Sequence, residues 1–137
     1  MSELRGEIRD GMRIDWDVPI AMDDGLVVRA DVYRPARDGT YPAIVTYGPY
    51  GKGLHFEDLY TDQWRRMLEQ HPDVPAVSTN RYQNWEVVDP EKWVPDGYAC
   101  VRVDSRGAGR SPPGRSTSWT SRSGRRPSSC RPATGSR

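Results

Sequence analysis

Apolar and polar positions first alternate over residues 14–20, where Asp15, Asp17 and Pro19 separate Ile14, Trp16, Val18 and Ile20. A period of two marks a strand with one buried face, so a half-buried strand is expected here. The turn signal Asp23-Asp24-Gly25 comes next, and LVVRADVY at 26–33 resumes with β-branched residues until Arg34-Pro35, which together predict a hairpin. After a turn over 35–40, AIVTY at 43–47 is short, apolar and bounded by Pro42 and Gly48, as a buried strand would be. From Phe56 the period changes: Phe56, Leu59, Tyr60, Trp64, Met67 and Leu68 fall at helical spacing. One amphipathic helix is predicted, with Asp58, Asp62 and Glu69 on its solvated face. It ends at His71-Pro72, because proline drives the preceding residue out of the α region. Residues 73–88 show no period and read as a long loop. Asp89-Pro90-Glu91 then offers the N-cap and first-turn proline of a short helix reaching about Val94. YACVRV at 98–103 is a further buried strand, running into D-S-R-G-A-G-R-S at 104–111.

Beyond Pro112-Pro113-Gly114 every periodic signal stops. Residues 115–137 (RSTSWTSRSGRRPSSCRPATGSR) hold one large apolar side chain, Trp119, too little to offset the entropy of ordering, so a disordered tail is expected. A basic arm, a low-complexity linker or a reading-frame shift would each give such a tail. The shift fits best, because a well-formed strand and turn precede it and an Arg/Ser/Pro bias results from a GC-rich gene read out of frame. The chain thus divides into 1–114 and 115–137.

That division changes the meaning of the charge. The 137 residues carry 20 Lys+Arg and 19 Asp+Glu. The tail holds six arginines and no acid, which leaves 14 basic against 19 acidic residues, a net charge of −5, in positions 1–114. An acidic main part has no broad basic surface for nucleic acid or an anionic membrane. The alternative function is a small nucleic-acid-binding protein acting through the Arg/Ser tail. The first ten residues carry charges of both signs and no apolar run, so no signal peptide or anchor is expected there, and a cytoplasmic location is expected. Cys100 and Cys130 make neither a disulfide framework nor metal spacing.

Several motifs fail on inspection. Gly107-Ala108-Gly109 is no dinucleotide loop, because Pro112 stands where the third glycine is required, and residues 48–53 lack the Lys-Ser/Thr pair of a phosphate loop. No organic cofactor or metal is implied. Ser105 and Ser111 are expected to satisfy a tight bend. His55 is expected to decorate the helical segment, and His71 to sit at its end.

AIVTYGPYGK at 43–52, W-V-P-D-G-Y at 93–98 and V-R-V-D-S-R-G-A-G-R-S at 101–111 together resemble the cocaine-esterase and X-prolyl dipeptidyl peptidase group of serine hydrolases, the CocE/NonD family. The match covers about residues 12–114. The D-x-R-G-x-G-x-S turn occurs across α/β-hydrolases and is moderately specific alone; joined to G-P-Y-G-K it is much stronger. The resemblance implies an α/β fold: an incomplete α/β-hydrolase sheet of the first four strands plus a helical insertion. It also implies a small-molecule ester or amide substrate, attacked through an acyl-enzyme. Ester cleavage is expected over dipeptidyl peptidase action, because peptidase relatives carry additional N-terminal elements.

In this family the tyrosine after the third strand donates its hydroxyl to the oxyanion, and Tyr50 is the matching position. Tyr47 is the rival and is read as packing. The nucleophile of such enzymes sits in a G-x-S-x-G elbow, which the sequence does not contain, and both histidines precede the fourth strand, whereas the family's base comes after its serine. The chain is therefore expected to be inactive by itself. The family's sheet order further implies that the 43–47 strand has an unpaired outer edge, with association as the hazard.

Overall fold

The computed structural model describes residues 5–114; the tail expected from 115 onward lies outside the described residues. Five strands, β1 (Arg5–Arg9), β2 (Met12–Ala21), β3 (Val27–Pro35), β4 (Ala43–Gly48) and β5 (Ala99–Asp104), form one mixed sheet in the order β1-β2-β3-β5-β4. The β1-β2, β2-β3 and β3-β5 pairings are antiparallel, whereas β4 runs parallel to β5. Between β4 and β5 the chain makes α1 (Phe56–Leu59), α2 (Thr61–Gln70), a 3-10 turn (Val74–Val77) and α3 (Pro90–Trp93).

The expected four strands are five. β1 carries a single large apolar residue, Ile8, which is 71% exposed, so no hydrophobic period marks it. What makes it a strand is the two-residue turn Asp10-Gly11, with φ of 52° and 77°, whose left-handed backbone suits a tight hairpin. β2 departs from expectation in a second way. Its register with β3 shifts between Asp15 and Val18, where Asp17 adopts φ 54°. One extra residue in a bulge reverses every side chain beyond it. Met12, Ile14 and Trp16 therefore pack with Tyr33, Tyr82 and Cys100 on one face, whereas Ile20 joins Val28, Ala30 and Val103 on the other.

The predicted single helix is two. Tyr60, at φ −129° and ψ 50°, breaks it between α1 and α2, and the break lets the Tyr60 ring lie 4.8 Å from that of Trp85 and 5.6 Å from Phe56. Aromatic packing outweighs one turn of helical hydrogen bonding here. The 73–88 loop contains the 3-10 turn, and Glu91 fixes the residues just after that turn by accepting from the Ser78 and Thr79 hydroxyls at 2.6 and 2.7 Å. α3 has the expected cap: the Asp89 carboxylate accepts from the Glu91 N–H, with Pro90 at the first turn.

β4 is an edge strand, with β5 its one hydrogen-bonded neighbour among the described residues. The buried strand expected at this position is instead partly open, since Val45 is 61% exposed and Tyr47 is exposed beside it; among the described residues no element packs over that face of the edge. Among the described residues no helix is long and apolar enough to cross a membrane.

Candidate functional site

The loop at 48–52 leaves the end of β4, and the turn at 104–111 leaves the end of β5. Asp104 joins them. Its carboxylate is 1% exposed and accepts the Lys52 N–H at 2.6 Å through Oδ1 and the Arg110 N–H at 2.8 Å through Oδ2. The two loops are also linked by the Ser105 N–H, which donates to the Gly48 carbonyl at 3.1 Å. The Ser111 hydroxyl donates to the Asp104 carbonyl at 2.7 Å and accepts the Arg29 N–H at 2.9 Å, so it braces the bend as expected. Gly109 is required for this closure, because its φ is +50° and a Cβ there would collide with the Asp104 carboxylate.

Lys52 is held at its other end too. Its ammonium, on a side chain 6% exposed, lies 2.6 Å from Asp17 Oδ1 and 2.8 Å from Asp31 Oδ1. The bulge in β2 makes this possible, since the left-handed Asp17 presents its N–H to Asp31 at 3.0 Å and its other carboxylate oxygen to Arg110 at 2.7 Å. Burial works against the Lys52 charge, but the hydrogen bonds and charges of Asp17 and Asp31 outweigh it and hold the ammonium pKa above the ordinary lysine value. Burial likewise pushes the Asp17 carboxyl up, yet Lys52, Arg110 and Arg29 bring it below the usual aspartate range.

Tyr50 stands between these two anchors, two residues before Lys52. It is 41% exposed, its ring meets that of Trp85 edge-on at 6.4 Å, and its hydroxyl makes no hydrogen bond to a described residue. It borders a cavity of about 140 Å³ whose wall includes Tyr47, Trp85, Val87 and Arg102. Tyr47 differs from it, because the Tyr47 hydroxyl accepts the Arg106 N–H at 3.3 Å. Asn84, which also borders the cavity, ties it to the 48–52 loop by donating to the Gly51 carbonyl at 2.8 Å.

The histidines lie apart from this cavity's wall. His55 caps α1, its Nδ1 accepting from the Glu57 N–H while Nε2 meets the Asn80 carbonyl at 2.5 Å. His71 ends α2 through its backbone N–H, which donates to the Met67 carbonyl. Among the described residues no group of His, Cys, Asp and Glu is arranged to hold a metal ion. Sequence reasoning singles out Tyr50 but passes over Lys52, Asp17, Asp31 and Asp104 as a set. The available signal is a lysine after G-P-Y-G and an aspartate ending an apolar strand; neither spacing shows that they share one buried network.

The sequence profile of the X-Pro dipeptidyl-peptidase (S15) family matches residues 24–120. Two crystal structures of a CocE/NonD family hydrolase from Staphylococcus aureus are similar at 28% identity, with TM-scores of 0.57 and 0.55. Each similarity covers 73% of this chain and 16% of that hydrolase. Comparison with curated proteins gives no match.

Proposed function

The chain belongs to the X-Pro dipeptidyl-peptidase (S15) family, and from that premise we propose that it supplies the oxyanion-binding side of a serine hydrolase of acyl esters or amides. The supporting observation is the placement of Tyr50: a partly exposed tyrosine bordering a cavity, on a loop clamped by Asp104 and Lys52. In such chemistry a serine oxygen attacks the acyl carbonyl, charge develops on the carbonyl oxygen, and the leaving group departs to give an acyl-enzyme that water then cleaves. A donor fixed before the reaction stabilises that charge by about 3–4 kcal/mol, because no reorganisation is needed as it forms. The clamp is what makes Tyr50 suited to this role, since a loop free to reorient would lose much of the benefit.

The rest of the machinery is a matter of the whole hydrolase. The 137 residues contain no G-x-S-x-G and no histidine after β5, so this chain alone is expected not to turn over. An assay of the purified chain with p-nitrophenyl acetate tests this directly. A rate equal to buffer is expected, whereas turnover abolished by a fluorophosphonate would show a competent serine and overturn the assignment of Tyr50 as a donor without its nucleophile.

A further inference from the structure

Clamping the backbone of the 48–52 loop fixes where the Tyr50 side chain begins, but not where its hydroxyl ends. Tyr50 is 41% exposed and its hydroxyl has no described hydrogen-bond partner, so its side-chain torsions must be held by packing. Among the described residues, Trp85 is the one aromatic ring against it, edge-on, with centroids 6.4 Å apart and planes at 68°. Aromatic pairs prefer such a geometry over a face-to-face sandwich.

Trp85 is itself held through its backbone and its ring. The Phe56 N–H donates to the Gln83 carbonyl at 3.1 Å. The Asn84 amide, 8% exposed, donates to the Gly51 carbonyl at 2.8 Å, while its Oδ1 accepts the Trp85 N–H at 2.6 Å. Residues 83–85 are thus stitched to 51–56, the stretch that begins directly after Tyr50. The indole then lies 4.8 Å from the Tyr60 ring and 5.2 Å from that of Phe56. Two departures from ordinary backbone structure meet at this side chain. Tyr60 breaks the helix between α1 and α2, and Glu86, the residue after Trp85, adopts φ 54°, a left-handed conformation uncommon for glutamate. Such conformations persist where the surrounding structure over-determines them.

We propose that Trp85 is a positioning residue for the oxyanion donor: it holds the Tyr50 ring in one χ1 well, so that the hydroxyl is aimed before charge develops on the acyl carbonyl. The inference rests on the reading of Tyr50 as that donor. Without the indole, the ring would be shared among three staggered wells. Equal sharing lowers the aimed population about 3-fold, and a well favoured mainly by the ring contact would lose about 10-fold.

The first test uses the 137-residue chain labelled with ¹³C and ¹⁵N. Couplings from the backbone N and C′ to Cγ report the χ1 of Tyr50. A single well and NOEs between the Tyr50 and Trp85 rings are expected in the parent chain, with averaged couplings in Trp85→Leu and a single well kept in Trp85→Phe. Averaged couplings in the parent would overturn the proposal even if Trp85→Leu does not fold, and so would a single well retained in Trp85→Leu. The second test is kinetic, with residues 1–114 placed in the Staphylococcus aureus CocE/NonD family hydrolase and an ester as substrate. Trp85→Leu is expected to lower kcat about 3–10-fold with KM little changed, and to add nothing in a Tyr50→Phe background. An equal loss in both backgrounds, or no loss where Tyr50→Phe does lower kcat, would overturn the role of Trp85 and leave that of Tyr50 standing. An unchanged kcat in Tyr50→Phe would instead remove the donor reading on which the inference rests.

Discussion

Replacing Asp104 by alanine removes the acceptor shared by the two loops that flank Tyr50. Two backbone donors, the N–H groups of Lys52 at 2.6 Å and Arg110 at 2.8 Å, lose a carboxylate acceptor in a place where that carboxylate is 1% exposed. A hydrogen bond to a charged group contributes about 1.5–3 kcal/mol, and a buried donor left alone bears its full desolvation cost. Two such bonds, with some water admitted to the cavity left behind, give an expected loss of about 3–5 kcal/mol. Natural domains hold only about 5–15 kcal/mol in total, so the variant should be close to unfolding at room temperature. Asp104→Asn keeps one acceptor oxygen but sets its NH₂ group against the second backbone donor, and should lie between the two. Gly109→Ala attacks the same carboxylate from the other side, through a Cβ that would collide with Oδ2, and should resemble Asp104→Ala. Urea denaturation followed by tryptophan fluorescence gives the stabilities, and hydrogen exchange at the Lys52 amide reports on the clamp itself. An Asp104→Ala protein within about 1 kcal/mol of the parent, with Lys52 exchange unchanged, would refute the idea that this carboxylate holds the loop.

Other consequences concern the ion pairs, the thiol and the sheet edge. Lys52→Met should cost about 3–5 kcal/mol by stranding the buried Asp31, and adding Asp31→Asn should recover part of it, measurable as coupling in a double-mutant cycle. Because the folded Asp17 pKa is depressed, its contribution is present above the ordinary aspartate pKa and is lost as pH falls through the lower folded value. Because the Lys52 pKa is raised, its contribution is present below the ordinary lysine pKa and is lost as pH rises through the folded value. Urea midpoints across pH should show the acid-side loss flattened in Lys52→Met. Burial pushes the Cys100 thiol up to about 11, so in a Cys130→Ser background it should resist a disulfide reagent in mildly alkaline buffer until the protein unfolds. Light scattering should show concentration-dependent association through β4, reduced in Val45→Lys, which places a charge on its exposed face.

The strands and their order of appearance were legible because β2, β3, β4 and β5 each carry apolar residues in a recognisable period. β1 was not, since a strand that exposes Ile8 and pairs through its backbone leaves only the Asp10-Gly11 turn as a trace. The bulge at Asp17 was hidden for a related reason. Ile14, Trp16, Val18 and Ile20 alternate in the sequence whether or not an extra residue reverses the faces midway, and the reversal is set by pairing with β3. The break at Tyr60 shows tertiary aromatic packing overriding a local helical pattern. At the site, the motif context located the G-P-Y-G-K loop and the D-S-R-G-A-G-R-S turn. It did not reveal that Asp104 joins them, because that contact spans 52 residues of sequence. Nor does any local pattern show that Lys52 occupies Asp31 and so leaves Arg102 without a described counter-ion.

The role of Tyr50 is tested most directly in a chimera in which residues 1–114 replace the matching segment of the Staphylococcus aureus CocE/NonD family hydrolase. With an ester substrate, Tyr50→Phe in that chimera is expected to lower kcat by roughly 10²–10³-fold, as loss of one oxyanion donor does, while KM changes little because the interaction belongs to the transition state. An active chimera in which Tyr50→Phe leaves kcat unchanged would contradict the assignment.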